Sequence, residues 1–228
     1  MKTSGARLKH ELATNARVIG LDGKLKMEFT SGDMEGWIEE GKITMPDIPN
    51  NAQLDNTNVR EMRGLADHES FHSQYTDLGL WAKAAEYCAA WGDTESMTLL
   101  NGAEDVRIER LGIKKYPGTK RNIQATLDKV LDIQKKNVGY VSARDALPCA
   151  ITWQGRSDNG MLVNLPPFLQ LIANDIANQF GDLSCLYEPD AFDGLFEACG
   201  HFLNDVLNNP TLMNFTNGVE APKNQKQK

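Results

Sequence analysis

The feature that most constrains this chain is the segment at residues 67–72, Asp-His-Glu-Ser-Phe-His, which contains the pattern H-E-x-x-H. Residues four apart on an α-helix lie on one face, so a helix here would present His68 and His72 to a single ion. Glu69 follows the first histidine directly, a position that suits a general base and makes it a poor third ligand. The spacing therefore favours a helix that carries a zinc site.

A third protein ligand has to come from elsewhere in the chain, because catalytic zinc usually takes three protein ligands and keeps a fourth position for water. The acidic pair Glu104-Asp105 lies on a later predicted helix, and Glu104 follows His72 by 32 residues. Adjacent residues on a helix point about 100° apart, so only one of the pair is expected to bind the metal. We favour Glu104 as the ligand and Asp105 as a carboxylate that orients a histidine ring. The opposite assignment stays open, because the sequence does not give the rotation of the helix relative to the metal.

Two further charged residues follow on the same predicted helix. Arg107 is three residues from Glu104, close enough to pair with a carboxylate of the site or to polarise a substrate carbonyl. A simpler interpretation of Arg107 and Glu109 is a solvated charged face with local ion pairs.

Composition argues against several classes of function. The formal net charge of −7 over 228 residues leaves no basic excess to neutralise phosphates, which argues against a general nucleic-acid binder. The chain has neither the apolar segment of a signal peptide nor a run of about 18 apolar residues, so secretion and membrane insertion are not expected. The four cysteines form no C-x-x-C pair and are expected to be reduced thiols in the cytoplasm.

Outside the motif, the spacing of apolar residues predicts an α+β protein in which helices predominate. A helix is predicted over residues 5–19 and a small N-terminal β element at about residues 24–46. The active-site helices are expected at about residues 57–112, with Thr57 or Asn56 as the N-cap of the first. Gly64, one turn before His68, would let another backbone approach this helix, either for packing or to leave a gap for substrate.

The chain is expected to form one domain over residues 1–215. Its last part, at about residues 119–208, is predicted to be helical, with one helix interrupted at Pro148 and another at residues 195–207. The polar segment 216–228 has little to bury and is expected to be disordered.

The chain resembles a group of phage and bacterial metallopeptidase-like proteins related to the N-terminal part of the cobalt chelatase subunit CobT. The matching segments are residues 42–46, residues 63–72 with Thr76-Asp77 behind them, and residues 101–110 followed by Tyr116-Pro117-Gly118. The resemblance implies a zincin-like fold of the glutamate-using (gluzincin) type, a zinc site and peptidase activity. A phage-encoded member would act in the cytoplasm of its bacterial host.

The resemblance also implies protein partners. Longer relatives carry a von Willebrand factor A domain after a charged linker and are associated with ATPases of the AAA+ class. For this chain, the von Willebrand factor A domain is expected to be absent or encoded separately, and the ATPase to be encoded separately.

The sequence therefore predicts a zinc-dependent peptidase that acts on a peptide or protein substrate. His68, His72 and Glu104 would hold Zn²⁺, Glu69 would take a proton from the zinc-bound water as it attacks a peptide carbonyl, and Arg107 would assist. The alternative is a non-proteolytic, CobT-like subunit of an AAA+ ATPase-linked metal chelatase or related assembly. A third interpretation is a structural phage protein with a vestigial site.

Overall fold

A computed structural model describes residues 2–31, 36–90, 94–136, 143–180, 187–189 and 193. The strands are β1 (Thr3–Ser4), β2 (Lys26–Thr30), β3 (Trp37–Glu39), β4 (Lys42–Pro46) and β5 (Gln53–Leu54). The helices are α1 (Gly5–Ile19), α2 (Asn56–Tyr75), α3 (Leu78–Ala90), α4 (Thr94–Lys115), α5 (Lys120–Lys136), α6 (Ala143–Asp158) and α7 (Pro167–Phe180), with a short 3₁₀ turn at Pro117–Thr119. The predicted α+β class with predominant helix is confirmed.

The chain separates into two compact units. Unit 1 contains Met1–Leu78 and Ile108–Val130, and unit 2 contains Gly79–Arg107 and Leu131–Lys228. The helix predicted at residues 195–207, the boundary predicted at residue 215 and the segment 216–228 all lie outside the described residues. No described helix combines the length and the apolar composition that a membrane span requires.

The core of unit 1 forms where α1 packs against α2 and the sheet. Ser4 is the N-cap of helix α1, and its side chain accepts from the Arg7 N–H at 3.4 Å; Gly20 is the C-cap. Its buried positions recur every three or four residues, which gives one apolar face. The core cluster contains Leu8, Leu12, Ala16, Leu25, Ile43, Met45, Ile48, Val59 and Ala66.

The predicted β element is a three-stranded sheet in the order β2-β4-β3. Strand β2 runs parallel to β4, with Lys26 opposite Lys42, whereas β3 is antiparallel to β4 and lies at an edge. A tight turn joins β3 to β4, and Gly41 has the positive φ of 71° that such a turn favours. Strands β1 and β5 form a separate two-stranded pair.

Helix α2 carries the H-E-x-x-H motif. Its N-cap is Asp55, which accepts from the Asn58 N–H at 2.9 Å, so the expected cap at Thr57 or Asn56 is wrong by one or two residues. Gly64 lies against α5: a β-carbon at this position would collide with the Asn122 carbonyl oxygen and with Thr126 Oγ1. The glycine therefore serves close helix packing, the simpler of its two interpretations.

Unit 2 contains the N-terminal part of α4 with α6 and α7. Helix α6 continues through Pro148, so the predicted interruption is wrong. The loss of one backbone hydrogen bond is outweighed by packing, because the following turns of α6 bury Ala150, Ile151 and Trp153. Gly102 of α4 lies directly against Thr152, whose hydroxyl donates to the Pro148 carbonyl at 2.8 Å.

Candidate metal centre

Helix α2 places the two histidines of the motif side by side. The ring centroids of His68 and His72 are 4.9 Å apart, with an interplanar angle of 83°. Both side chains are half-buried. The spacing of four residues thus puts both imidazoles on the face where a shared ion would lie.

His68 is held by a carboxylate from α4. Its Nδ1 lies 3.1 Å from Oε1 of Glu109, which is only 2% exposed. The interpretation of Glu109 as part of a solvated charged face is therefore wrong. Its spacing of four residues from Asp105 was the signal that could have found it, because that spacing puts two carboxylates on one face of the helix.

His72 is held within its own helix. Its Nδ1 lies 2.9 Å from Oγ1 of Thr76, the C-cap residue, whose backbone N–H donates to the His72 carbonyl at 3.0 Å. The end of α2 therefore fixes the position of the second imidazole. No role was assigned to Thr76 from the sequence beyond its place in the matching segment.

Glu69 follows His68 on α2, about 100° around the helix axis. It is 5% exposed, and a β-carbon built on Gly36 would lie 3.1 Å from both its Cγ and its Oε1. Gly36 immediately precedes the edge strand β3. The carboxyl of the motif thus lies beside the residue that precedes β3.

Asp67, the residue before the first histidine, is also buried. Its Oδ2 accepts from Nδ2 of Asn122 at 2.9 Å, which ties α2 to α5. Burial raises the pKa of Asp67 to about 6, although the Asn122 hydrogen bond and the positive charge of Arg63 oppose the rise. Arg63 itself pairs with Glu11 of α1 at 2.6 Å.

The acidic pair on α4 has two different environments within unit 2. Glu104 and Arg107 are both 0% exposed and form a bidentate pair, Nε to Oε2 at 2.5 Å and Nη2 to Oε1 at 2.8 Å. The interpretation of Arg107 as part of a solvated face is therefore wrong, whereas its pairing with the carboxylate three residues away is observed. Asp105 is partly exposed, and Nη2 of Arg156 approaches its Oδ2 at 3.4 Å.

Helix α4 extends over Thr94–Lys115. At about 100° per residue, Asp105 lies about 40° around the axis from Glu109, whereas Glu104 lies about 140° away. Asp105 therefore shares the face of α4 from which Glu109 contacts His68, and Glu104 does not.

Fold and side chains together define a mostly helical α+β protein with a candidate two-histidine metal site. The family described as "Cobalamin biosynthesis protein CobT" matches residues 3–153, which is more than half of the chain. The chain belongs to this family. Neither the curated proteins nor the solved structures gave a match.

Proposed function

We propose that this CobT-family protein binds one divalent cation through His68, His72 and Asp105, and that it acts as a non-proteolytic subunit of an ATPase-linked metal-chelatase or related assembly. The family match over residues 3–153 is the observation that carries the proposed assembly. An AAA+ ATPase and a von Willebrand factor A domain are the proposed partners.

The chemistry of the donor set supports the cation. Two imidazole nitrogens and one carboxylate oxygen suit zinc and related first-row divalent ions. Histidines that bind metals commonly engage their second nitrogen in a hydrogen bond that fixes the ring. Both Nδ1 atoms here make such contacts, to Glu109 and to Thr76, which makes Nε2 the nitrogen that would bind the cation.

The third ligand in this proposal is Asp105, the assignment that the sequence left open as the second choice. Both oxygens of Glu104 accept from the Arg107 guanidinium in a fully buried pair. Asp105 instead lies on the helix face that it shares with Glu109. Glu109 then takes the orienting role that the sequence analysis gave to Asp105, and Arg107 acts as the partner of Glu104.

Peptide hydrolysis at the same site is the second candidate, and the position of Glu69 favours it. The carboxyl is buried, follows a proposed ligand directly and lies beside Gly36 at the start of the edge strand β3. Bound zinc would supply Lewis-acid polarisation of a substrate carbonyl. Glu69 would accept a proton from water and return it to the leaving amine, and β3 would align an extended peptide through main-chain hydrogen bonds.

Elemental analysis tests the cation. The protein, purified without added metal and then loaded with zinc or cobalt, should hold one ion per chain, and the double variant His68→Ala/His72→Ala should lose it. His10→Ala, which changes an exposed histidine on α1, is the matched control and should keep the ion. A native chain that holds no ion after loading would contradict the metal site.

Two assays then separate the candidate functions. Co-purification of an ATPase activity with the tagged chain, together with no cleavage of a peptide library, supports the chelatase-type subunit. Cleavage that falls by about 10²-fold or more in Glu69→Gln, with the ion retained, supports the hydrolase instead. Cleavage that persists in Glu69→Gln would exclude Glu69 as the base.

A further inference from the structure

We infer that Glu109 is a positioning residue, which holds the His68 ring with its proton on Nδ1 and its lone pair on Nε2 toward the cation. The inference rests on the proposed metal site for its purpose. The geometry behind it, however, lies within unit 1 and exists without any ion: Oε1 of Glu109 is 3.1 Å from His68 Nδ1.

The chemistry of the two groups sets the direction of this hydrogen bond. An ionised carboxylate can only accept, whereas a neutral imidazole has one nitrogen that donates and one that accepts. A hydrogen bond between Glu109 and Nδ1 therefore requires the proton on Nδ1. Nε2 then carries the lone pair, which is the form that a cation needs.

The burial of Glu109 makes this arrangement persistent. A carboxylate that is 2% exposed has little access to water, so the loss of a hydrogen-bond partner would be costly. A solvated carboxylate could turn away from the ring at little cost. The packed environment of α4 thus keeps Glu109 directed at His68.

The second histidine shows by contrast what Glu109 adds. His72 Nδ1 contacts the hydroxyl of Thr76, and a hydroxyl can both donate and accept. Thr76 therefore holds the position of the ring and does not by itself fix the tautomer. The charged partner of His68 fixes both, and it also makes the imidazole a stronger donor to metal.

The test uses the full chain and two readouts. Nitrogen-15 NMR of the metal-free protein, with rings assigned by single histidine substitutions, should show His68 in the Nδ1-protonated tautomer. Glu109→Ala should shift His68 toward the Nε2-protonated tautomer, whereas Glu109→Gln should preserve the native form, because its amide oxygen still accepts. Zinc affinity, measured by competition with a chelator, should fall about 10- to 100-fold in Glu109→Ala and by less in Glu109→Gln.

A matched control is Glu61→Gln, which makes the same change at a carboxylate of α2 that pairs with Lys129 at 2.8 Å. It should alter neither readout. If the native chain binds zinc and both Glu109 variants match it in tautomer and affinity, the inference is overturned while the metal site survives.

If the native chain binds no zinc, the proposed function fails, and the tautomer still decides the role of Glu109. An Nδ1 proton that depends on Glu109 supports the positioning role, and one that does not overturns it. Should Glu109→Ala fail to fold, Glu109→Leu keeps most of the volume but offers no acceptor to His68 Nδ1. Its zinc affinity then gives the answer: a decrease supports the inference and native affinity contradicts it.

Discussion

Two buried carboxylates on helix α4, Glu104 and Glu109, have different roles because their side chains have different partners. Glu104 pairs with the guanidinium of Arg107, one turn along the same helix, and Glu109 pairs with the imidazole of His68 from α2. A guanidinium keeps its charge in proteins, so the buried pair of Glu104 with Arg107 is a fixed ion pair within the helix. An imidazole can gain or lose a proton or bind a metal ion, so the pair of Glu109 with His68 can take part in chemistry. Residues of the same type, on one helix and equally buried, thus serve stability in one region and the candidate site in the other.

The largest effect on stability should come from breaking the buried ion pair between Glu104 and Arg107. Arg107→Ala leaves the Glu104 carboxylate buried without its guanidinium, which should reduce the free energy of unfolding by about 3–5 kcal/mol. Urea unfolding at neutral pH measures this loss. The double variant Glu104→Gln/Arg107→Met removes both charges and should recover most of it.

A matched control is the half-exposed ion pair between Arg63 and Glu11, at 2.6 Å. Arg63→Ala should cost less than about 1 kcal/mol, because solvent screens this pair. If Arg107→Ala and Arg63→Ala lower the free energy of unfolding by the same amount, burial does not make the Glu104–Arg107 pair more important for stability than the half-exposed pair.

The next effect concerns Asp67, a buried carboxyl whose partner Asn122 is neutral. Its pKa is raised from 3.8 to about 6, chiefly by burial, so between these pH values the folded state holds a proton that the unfolded chain has released. The stability of the native chain should therefore fall as pH rises from 4 to 6 and then level off.

Asp67→Asn should lack this contribution, with an advantage over the native chain that grows with pH to at most about 3 kcal/mol at pH 7. Urea unfolding of both proteins at pH 4, 5, 6 and 7 gives the difference directly. If the free energies of unfolding of the two proteins change in parallel with pH, burial does not raise the pKa of Asp67 in the folded state.

The smallest effect should come from the neutral partner of His72. Thr76→Val keeps the shape and the extended backbone of the C-cap but removes the hydroxyl that contacts Nδ1 at 2.9 Å. Since a neutral hydrogen bond contributes about 1 kcal/mol, zinc affinity should fall about 5-fold, less than in Glu109→Ala. Isothermal titration with zinc measures the change.

Thr14→Val is the control for Thr76→Val, because the Thr14 hydroxyl donates to the His10 carbonyl at 2.9 Å on α1, away from the motif. It should leave zinc affinity unchanged. A larger loss in Thr76→Val than in Glu109→Ala would reverse the ranking of charged and neutral partners.

Much of the local structure followed from the sequence. Apolar residues four apart identified α1, and the histidine spacing identified α2 as a helix with both rings on one face. The glycine before the motif indicated a close approach of another backbone, which α5 supplies. Each of these features depends on residues within one or two turns of a helix, where the period of 3.6 residues ties sequence position to direction.

Features that depend on distant segments did not follow from the sequence. The parallel pairing of β2 with β4 cannot be read from two alternating segments, because alternation gives faces and not neighbours. Pro148 indicated a helix break because the cost of a lost hydrogen bond is local, whereas the packing that outweighs it is not.

By itself, the sequence determined the helix that carries His68, Glu69 and His72. Residues four apart lie on one face of an α-helix, so the spacing of the two histidines predicts both the helix and the shared direction of the rings. Only the tertiary structure decided which charged residues of α4 are buried and what each contacts. Burial of Glu104, Arg107 and Glu109 is set by segments far away in the chain, and a charge pattern looks the same in a solvated face and in a core. For that reason Glu109 could be recognised as the partner of His68 only once α2 and α4 were seen packed together in unit 1.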